Sequence, residues 1–363
     1  MVASPSTKKG RSFFSKLTFT AAAGVCLVLL LLSYVSMVVN PARAWYMTVF
    51  GLMYLPFVFL CAVFFVWGLL RRSWGVSILL ALALLPSIIW IGRYFQFNGQ
   101  DADGSRGDLK VISYNVGLFA HGRGDYQSLS RQELADSVCA WLLKKDADVI
   151  SLQEFYLPTE MAPEKYLRKK FPGYTVEYYV YTGSKGRFGN VILTRFPVRA
   201  KGHIDFEKST NMAIFADLDI GDAKIRVYNC HFESYNISLS HLVNSIREDG
   251  AARESGRKFR RTVLQRPRQV DEVMANIDAS REQILVTGDF NDNPLSYTYH
   301  RLIRDRKDAF IEVGKGFGAT YSVLWPMLRI DYILYPKVLE ARWYDREDVL
   351  YSDHYPIFAS FAK

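Results

Sequence analysis

Hydrophobic positions fall in two regimes along this 363-residue chain: long unbroken runs first, short alternating ones afterwards. From Leu17 to Val39, 23 consecutive positions carry no charge. A second run extends from Ala44 to Leu70 and stops at Arg71-Arg72, and a third extends from Ser73 to Gly92 beside Trp74, Trp90 and Tyr94. At about 1.5 Å per residue, roughly 20 helical residues match a hydrocarbon core about 30 Å thick, and tryptophan and tyrosine settle at its headgroup boundary. Pro56 and Pro86 lie inside these runs, where membrane helices tolerate proline. The pattern therefore predicts a bundle of three transmembrane helices within residues 1–97. Residues 98–107 are small and polar and read as a linker.

From residue 108 the pattern changes to short alternations of strand and helix. Leu109–Val116, Asp148–Gln153, Tyr174–Tyr181, Gly189–Thr194, Met212–Ile220, Lys224–Cys230, Ile284–Thr287, Arg329–Tyr335 and Ile357–Phe361 read as strands. Ser130 followed by Glu133 is a capping box opening a helix with Leu134, Val138, Trp141 and Leu142 on one face. A second helix is expected from Ser255 to Ile277, interrupted at Pro267. So many strands in one 256-residue stretch imply two sheets with helices outside them, in an α/β domain.

With 50% hydrophobic and 22% charged residues the chain is too apolar to be disordered. Its net charge of +9 would invite a nucleic-acid reading, but residues 1–107 hold nine basic and only two acidic side chains. Most of the excess belongs to the apolar front end. Lys8, Lys9, Arg11 and Lys16 precede the first run, Arg71 and Arg72 follow the second, and Arg43 stands nearly alone between. Lysine and arginine stay on the cytoplasmic side, which predicts a cytoplasmic N-terminus and a soluble domain on the extracytoplasmic face. Cys26, Cys61, Cys139 and Cys230 are too scattered for a disulfide framework or a zinc ribbon and read as buried thiols. A basic stretch, Arg247 to Arg268, holds eight cations against three acids. It reads either as a solvated helix face or as a rim attracting a polyanion or anionic lipid heads.

Polar groups gather where the apolar strands stop. Asn115 and Glu154 end two strands, and His231 ends a third. Asp289 and Asn291 follow another in Gly288-Asp289-Phe290-Asn291-Asp292, Asp331 lies in Arg329-Ile330-Asp331-Tyr332, and Asp353-His354 precedes the last strand. Strand ends on one sheet edge would bring these groups into one crevice. Carboxylates with an amide suit a hard cation such as Mg²⁺ or Mn²⁺, and two histidines can move protons near neutral pH. Metal-assisted hydrolysis of a phosphate ester uses all of these parts.

Seven blocks occur in order: SYN at 113–115, LQE at 152–154, GNVILTRFP at 189–197, NCHFES at 229–234, GDFND at 288–292, RIDYIL at 329–334 and SDHYP at 352–356. Together they resemble the endonuclease/exonuclease/phosphatase superfamily, across the soluble part only. The resemblance implies a two-sheet, four-layer α/β sandwich of the deoxyribonuclease-I-like kind, with residues 108–363 as the catalytic domain. It implies Glu154, Asn115 and Asp353 as the metal side of the site. His231 would contact the phosphoryl group, Asp289 and Asn291 would position the nucleophile, and His354, oriented by Asp331, would act as base or phosphate-stabilising imidazole. Abasic-site endonucleases of the superfamily place an acid where this chain has Gly117, and Arg187 stands near the position of their phosphate-contacting tyrosine. Both departures speak against abasic-site repair.

The leading expectation is a membrane-anchored, Mg²⁺-dependent, nuclease-like phosphodiesterase whose substrate is a phosphate ester, nucleic acid or lipid head group. A phospholipid or small-molecule phosphodiesterase or phosphatase is the alternative, and a non-catalytic membrane-tethered binding module the third. No segment points to a protein partner beyond the bilayer itself.

Overall fold

The computed structural model describes residues 6–98, 107–158, 160–183, 186–235, 251–323 and 327–362. The chain forms two compact units, residues 1–92 with 295–297, and residues 93–294 with 298–363. Most of the expected linker, residues 99–106, lies outside the described residues.

The first unit contains helices α1 (Ser6–Val35), α2 (Met47–Leu52), α3 (Tyr54–Leu70) and α4 (Trp74–Trp90). Its interior mixes apolar side chains such as Phe19, Leu30 and Leu80 with small and polar ones. Ser33, Ser77 and Ser87 are buried, while Leu70, Ile88 and Ile89 are more than 70% exposed. Tyr34 Oη donates to the Ala83 carbonyl at 2.8 Å and lies 2.7 Å from Ser87 Oγ, and a Cβ on Gly68 would strike Ser77 Oγ at 2.5 Å. Close approach at small residues with apolar side chains turned outward is how helices associate in lipid. Two of the three expected runs, and not clearly the third, form helices of spanning length. Ser15–Val35 and Trp74–Arg93 are long and apolar enough to cross a membrane, but the middle run is broken at Met53, leaving the 17-residue α3 as a shorter apolar helix.

The second unit is built on strands β1 (Phe95–Phe97), β2 (Leu109–Asn115), β3 (Val149–Leu157), β4 (Thr175–Gly183), β5 (Gly186–Thr194), β6 (Val198–Asp205) and β7 (Met212–Ile220). They continue with β8 (Ala223–His231), β9 (Gln283–Asp289), β10 (Arg306–Asp308), β11 (Lys315–Phe317), β12 (Asp331–Pro336), β13 (Glu340–Arg346) and β14 (Ile357–Ala362). The principal helices are α5 (Arg131–Lys144), α6 (Pro163–Lys170) and α7 (Ala251–Asp278), followed by the short α8 (Tyr297–Leu302) and α9 (Ala309–Val313). One six-stranded sheet has the order β13-β14-β2-β3-β5-β4 and the other β10-β12-β9-β8-β7-β6. Each has a single parallel pair at its centre, β2 with β3 and β8 with β9, and is otherwise antiparallel. The parallel pairs are those joined by the long helical crossovers α5 and α7, as the geometry of parallel strands requires.

Three apolar clusters separate four layers. Val111, Val149 and Ile357 of the first sheet meet Val227, Leu285 and Ile333 of the second in the centre of the sandwich. Leu134, Val138 and Leu142 of α5 cover the outer face of the first sheet, and Val270, Val273 and Met274 of α7 cover that of the second. This is the expected two-sheet, four-layer α/β sandwich. The capping box at α5 forms as expected: Ser130 N–H donates to Glu133 Oε2 at 2.9 Å, and the Glu133 N–H returns to Ser130 Oγ at 3.3 Å.

Four departures are informative. Phe95–Phe97, placed in the anchor by its apolarity, is a strand paired with Lys315–Phe317. Strand β6 lacks an apolar alternation because its side chains stand mostly exposed at a sheet edge. Glu154 does not end β3 but sits inside it, where the register with β5 shifts between Leu152 and Phe155. Helix α7 runs unbroken through Pro267. Proline removes one backbone bond, and packing on both sides of it outweighs that loss.

Candidate active site

The inner faces of the sandwich change character along each central strand. Steps of two residues keep a side chain on one face. Val111, Ser113 and Asn115 follow one another on β2, Val227, Asn229 and His231 on β8, and Leu285, Thr287 and Asp289 on β9. The register aligns these steps, pairing Ser113 with Ser151, Asn229 with Thr287 and His231 with Asp289. The middle rung joins the two sheets. Gln153 Nε2 donates to Asn229 Oδ1 at 2.7 Å, Asn229 Nδ2 reaches the carbonyls of Leu152 and Val191 at 2.9 Å, and Thr287 Oγ1 lies 2.7 Å from Ser151 Oγ. These buried bonds fix the sheets against each other directly beneath the strand ends.

The strand ends then converge. β2, β8 and β9 finish at this edge and antiparallel β12 starts there, opposite β9, with Asp331 paired to Asp289. His354 precedes β14, which pairs with β2. Asn115 Nδ2 bridges Asp289 Oδ2 at 2.9 Å and Glu154 Oε1 at 3.2 Å, while its Oδ1 accepts the Gly117 N–H at 3.0 Å. His354 Nδ1 lies 3.0 Å from Asp331 Oδ2, and its Nε2 lies 3.7 Å from Asp289 Oδ2. His231 Nε2 stands 3.4 Å from Glu154 Oε1 and 3.9 Å from Asp289 Oδ2. Asn291 donates its backbone N–H to Asp289 Oδ1 at 2.8 Å and its Nδ2 to Asp289 Oδ2 at 3.1 Å. Asp353 accepts from Ser352 Oγ at 3.3 Å. Asp289 is thus the hub to which Asn115, Asn291, His231 and His354 all turn.

Two backbones are held in the left-handed region, Glu154 at φ +53° and Asn291 at φ +51°. Non-glycine residues persist there only where their surroundings over-determine them, and such sites cluster around function. Gly117 (φ +56°), Leu118 (φ +54°) and Phe119 (φ +52°) form a left-handed turn two residues after Asn115. A Cβ on Gly117 would lie 2.9 Å from His121 Cδ2, 3.0 Å from Ser352 Oγ and 3.2 Å from Asp353 Oδ1. The position is filled by glycine because of space and conformation, and a carboxylate there would also face Asp353.

Electrostatics follow from four carboxylates, Glu154, Asp289, Asp331 and Asp353, gathered around two imidazoles. Burial raises the Asp289 carboxyl above its ordinary value, Asp331 adds to this, and His354, His231 and Asn115 pull the other way. Burial is the largest influence on His354 and disfavours its charge, but Asp331, Asp289 and Asp353 together overcome it and raise its pKa to about 10. Asp289, Asp331 and His354 each offer a ligand atom within 4.8 Å of the others, and Asp331 Oδ1 is buried without a hydrogen-bond partner among the described residues. Concentrated carboxylate charge fits a divalent cation with hard oxygen donors, though this three-residue group is not the expected metal set of Asn115, Glu154 and Asp353.

All eight residues expected at the site are therefore brought to one edge. One neighbour, Tyr321, was missed. Tyr321 forms an isolated bridge with His354, and its ring centroid lies 4.9 Å from the imidazole. Burial, then Asp353, pushes its phenol up to about 12. Tyr321 had no signal in the sequence, since it comes from a loop. His121 is exposed beside Gly117. Arg187 donates to the Met161 carbonyl at 3.1 Å.

Comparison with known proteins bears on the family and the fold. A profile described as the endonuclease/exonuclease/phosphatase family matches residues 112–354, and one described as a domain of unknown function matches residues 15–94. No curated protein matches the chain. Among solved structures, the endonuclease/exonuclease/phosphatase from Beutenbergia cavernae is similar with a TM-score of 0.53 at 16% identity, over 70% of this chain and 72% of that one. D. rerio TDP2 complexed with a single-strand DNA product gives 0.50 at 18% identity, over 70% and 99%. The human nocturnin catalytic domain with bound sulfate gives 0.50 at 17%, over 70% and 93%. At such identities the structures speak for the fold alone. The profile, spanning two thirds of the sequence and every residue of the cluster around Asp289, settles kinship: this chain belongs to the endonuclease/exonuclease/phosphatase family.

Proposed function

We propose that this chain is a membrane-tethered phosphoesterase that hydrolyses a phosphodiester with the aid of Mg²⁺ or Mn²⁺, nucleic acid being the favoured substrate. The observation that carries the reading is the Asp289 hub, where two amides, two imidazoles and a ring of carboxylates meet at the seam of the sheets. Glu154 and Asp353, with Asn115 beside them, would hold the ion. When bound, it supplies Lewis-acid stabilisation of the charge that builds on phosphoryl oxygens.

The remaining steps belong to the chain. Asp289, kept basic by burial, takes the proton of the attacking water while Asn291 and Asn115 fix the direction of its carboxylate. His354, held through Nδ1 by Asp331 and protonated at neutral pH, donates through Nε2 to a phosphoryl oxygen. His231, between Glu154 and Asp289, contacts a second phosphoryl oxygen or meets the leaving group. The preference for nucleic acid leans on the single-strand DNA product in the TDP2 structure. A lipid or small phosphodiester is the second reading, favoured by the outward-facing leucines and isoleucines of the first unit, which would keep the site near a bilayer.

Those residues also support the membrane tether. The two long apolar helices are only 28% and 22% buried, where the core helix of a soluble protein would be largely covered. The positive flanks favour three spans, a cytoplasmic N-terminus and an extracytoplasmic catalytic domain.

The test uses the full chain in detergent micelles, offered single- and double-stranded DNA, RNA and phosphatidylcholine vesicles, with Mg²⁺ or with EDTA. DNA or RNA cleavage that EDTA abolishes is expected. Lipid cleavage alone would replace the nucleic-acid reading, and no turnover of any substrate would leave a binding module. Glu154→Gln and His354→Ala should each lower turnover by about 10²–10⁴-fold while the chain stays folded, and undiminished turnover in both would refute the assigned roles.

A further inference from the structure

The basic stretch splits in two on α7. Arg257, Lys258, Arg260, Arg261 and Arg268 are exposed, whereas Arg266 is 2% exposed. Arg247 lies outside the described residues. Arg266 points inward at the loops that carry the site. Its Nε and Nη2 donate to the Glu233 carbonyl at 2.8 and 2.5 Å, and its Nη1 lies 3.1 Å from Asp292 Oδ2. The Tyr235 ring covers the guanidinium at 3.9 Å, and Tyr235 Oη donates to Asp292 Oδ1 at 3.0 Å.

We infer that Arg266 is a positioning residue, which clamps the segment after His231 to the loop that carries Asn291 and so sets these two groups against each other. The chain of contacts is short. Glu233 and Asp292, which share the guanidinium, lie two residues after His231 and one after Asn291. The loops also meet directly: Asn291 Nδ2 donates to the Phe232 carbonyl at 2.9 Å, and the Phe232 N–H donates to the Asp289 carbonyl at 3.1 Å. Neighbouring turns of α7 add to the grip. Gln269 Oε1 accepts the Glu233 N–H at 2.9 Å, and Thr262 Oγ1 donates to the Ser234 carbonyl at 3.1 Å. Thr262, Arg266 and Gln269 occupy one helical face at spacings of four and three.

An arginine is required because one planar fork must serve two acceptors on separate segments while a ring stacks on its face. A lysine offers a single point of charge. The left-handed backbone of Asn291, one residue from Asp292, needs such outside support. The cation therefore acts through His231 and Asn291, unlike its exposed neighbours on α7.

The inference rests on the hydrolase reading for its kinetic arm only. The full chain in detergent is assayed on bis(p-nitrophenyl) phosphate with Mg²⁺, and its amide hydrogen exchange is followed in parallel. Arg266→Gln is expected to lower kcat by about 10–100-fold with KM changed less than about twofold. Residues 231–235 and 289–293 should exchange about tenfold faster or more, while β2 and β7 keep their protection. Arg266→Lys should recover only part of kcat. Tyr235→Phe, which removes one hydroxyl and keeps the stacking, should shift both readouts the same way and less. Combining Arg266→Gln with Asp292→Asn should cost no more than the worse single variant.

Unchanged kcat and unchanged exchange in Arg266→Gln, or in Tyr235→Phe should the former not fold, would overturn the inference. So would a loss confined to KM, which would make Arg266 a substrate contact, or a lowered Tm with kcat per folded molecule intact. Failure of the wild-type chain to hydrolyse the phosphodiester would sink the hydrolase reading alone, because the exchange comparison still decides whether the clamp exists.

Discussion

Asp289 shows how much a single position has to satisfy. It is buried, accepts from Asn115 and Asn291, and faces Asp331 across the β9–β12 register. The residue before it explains how the strand delivers it there. Gly288 has φ +132°, and a Cβ at that point would stand 1.9 Å from the Cys230 carbonyl oxygen. Gly288→Ala is therefore expected to destabilise the fold by about 3 kcal/mol or more, combining a forbidden backbone with a steric clash, as measured by urea unfolding. A midpoint equal to wild type would show that the backbone there relaxes at little expense. The glycine, the aspartate and the asparagine were all readable as residue types in GDFND. What the sequence withheld was the conformation of Glu154, since a register shift leaves no mark on a run of strand-forming residues.

Elements were legible where burial imposed a period. β2, β7 and β8 were read nearly to their ends, and α5 from its cap and covered face, because one or both faces are covered by other layers. The edge strand β6 escaped because exposed side chains obey no period. Between α5 and α6 a polar connection does work that no apolar pattern reports. Asp136 accepts from Tyr166 Oη at 2.6 Å, from Gln132 Nε2 at 2.9 Å and pairs with Lys170 at 2.8 Å. Burial alone would raise this carboxyl, but Lys170, Tyr166 and Gln132 together hold it below its ordinary 3.8. A depressed value means that its contribution is present above about pH 4 and is lost as pH falls through the folded-state pKa. Asp136→Asn should thus weaken the protein at pH 7 and make little difference near pH 2, read as denaturation midpoints at both pH values. An equal deficit at both would assign the loss to shape and not to charge.

For the whole molecule, if the proposed membrane tether holds, the side on which the α/β domain would lie depends on α3. Its 17 residues rise about 25 Å, at the short limit for a spanning helix. Three crossings put the two chain ends on opposite sides, and two put them on the same side. A compartment-sensitive reporter fused after Lys363 is expected to signal from the extracytoplasmic side, and a cytoplasmic signal would demote α3 to a helix that does not span. The charge pattern could announce an anchor, but it could not measure how long an uninterrupted helix the middle run would make. The seam between the sheets carries a different implication. Asn115, Glu154, Asp353 and His354 ride on one layer, and His231, Asp289, Asn291 and Asp331 on the other. Neither half is heritable as a working module: evolution must conserve or trade the two together, since a shuffled gene bringing one from elsewhere would arrive with half a reaction.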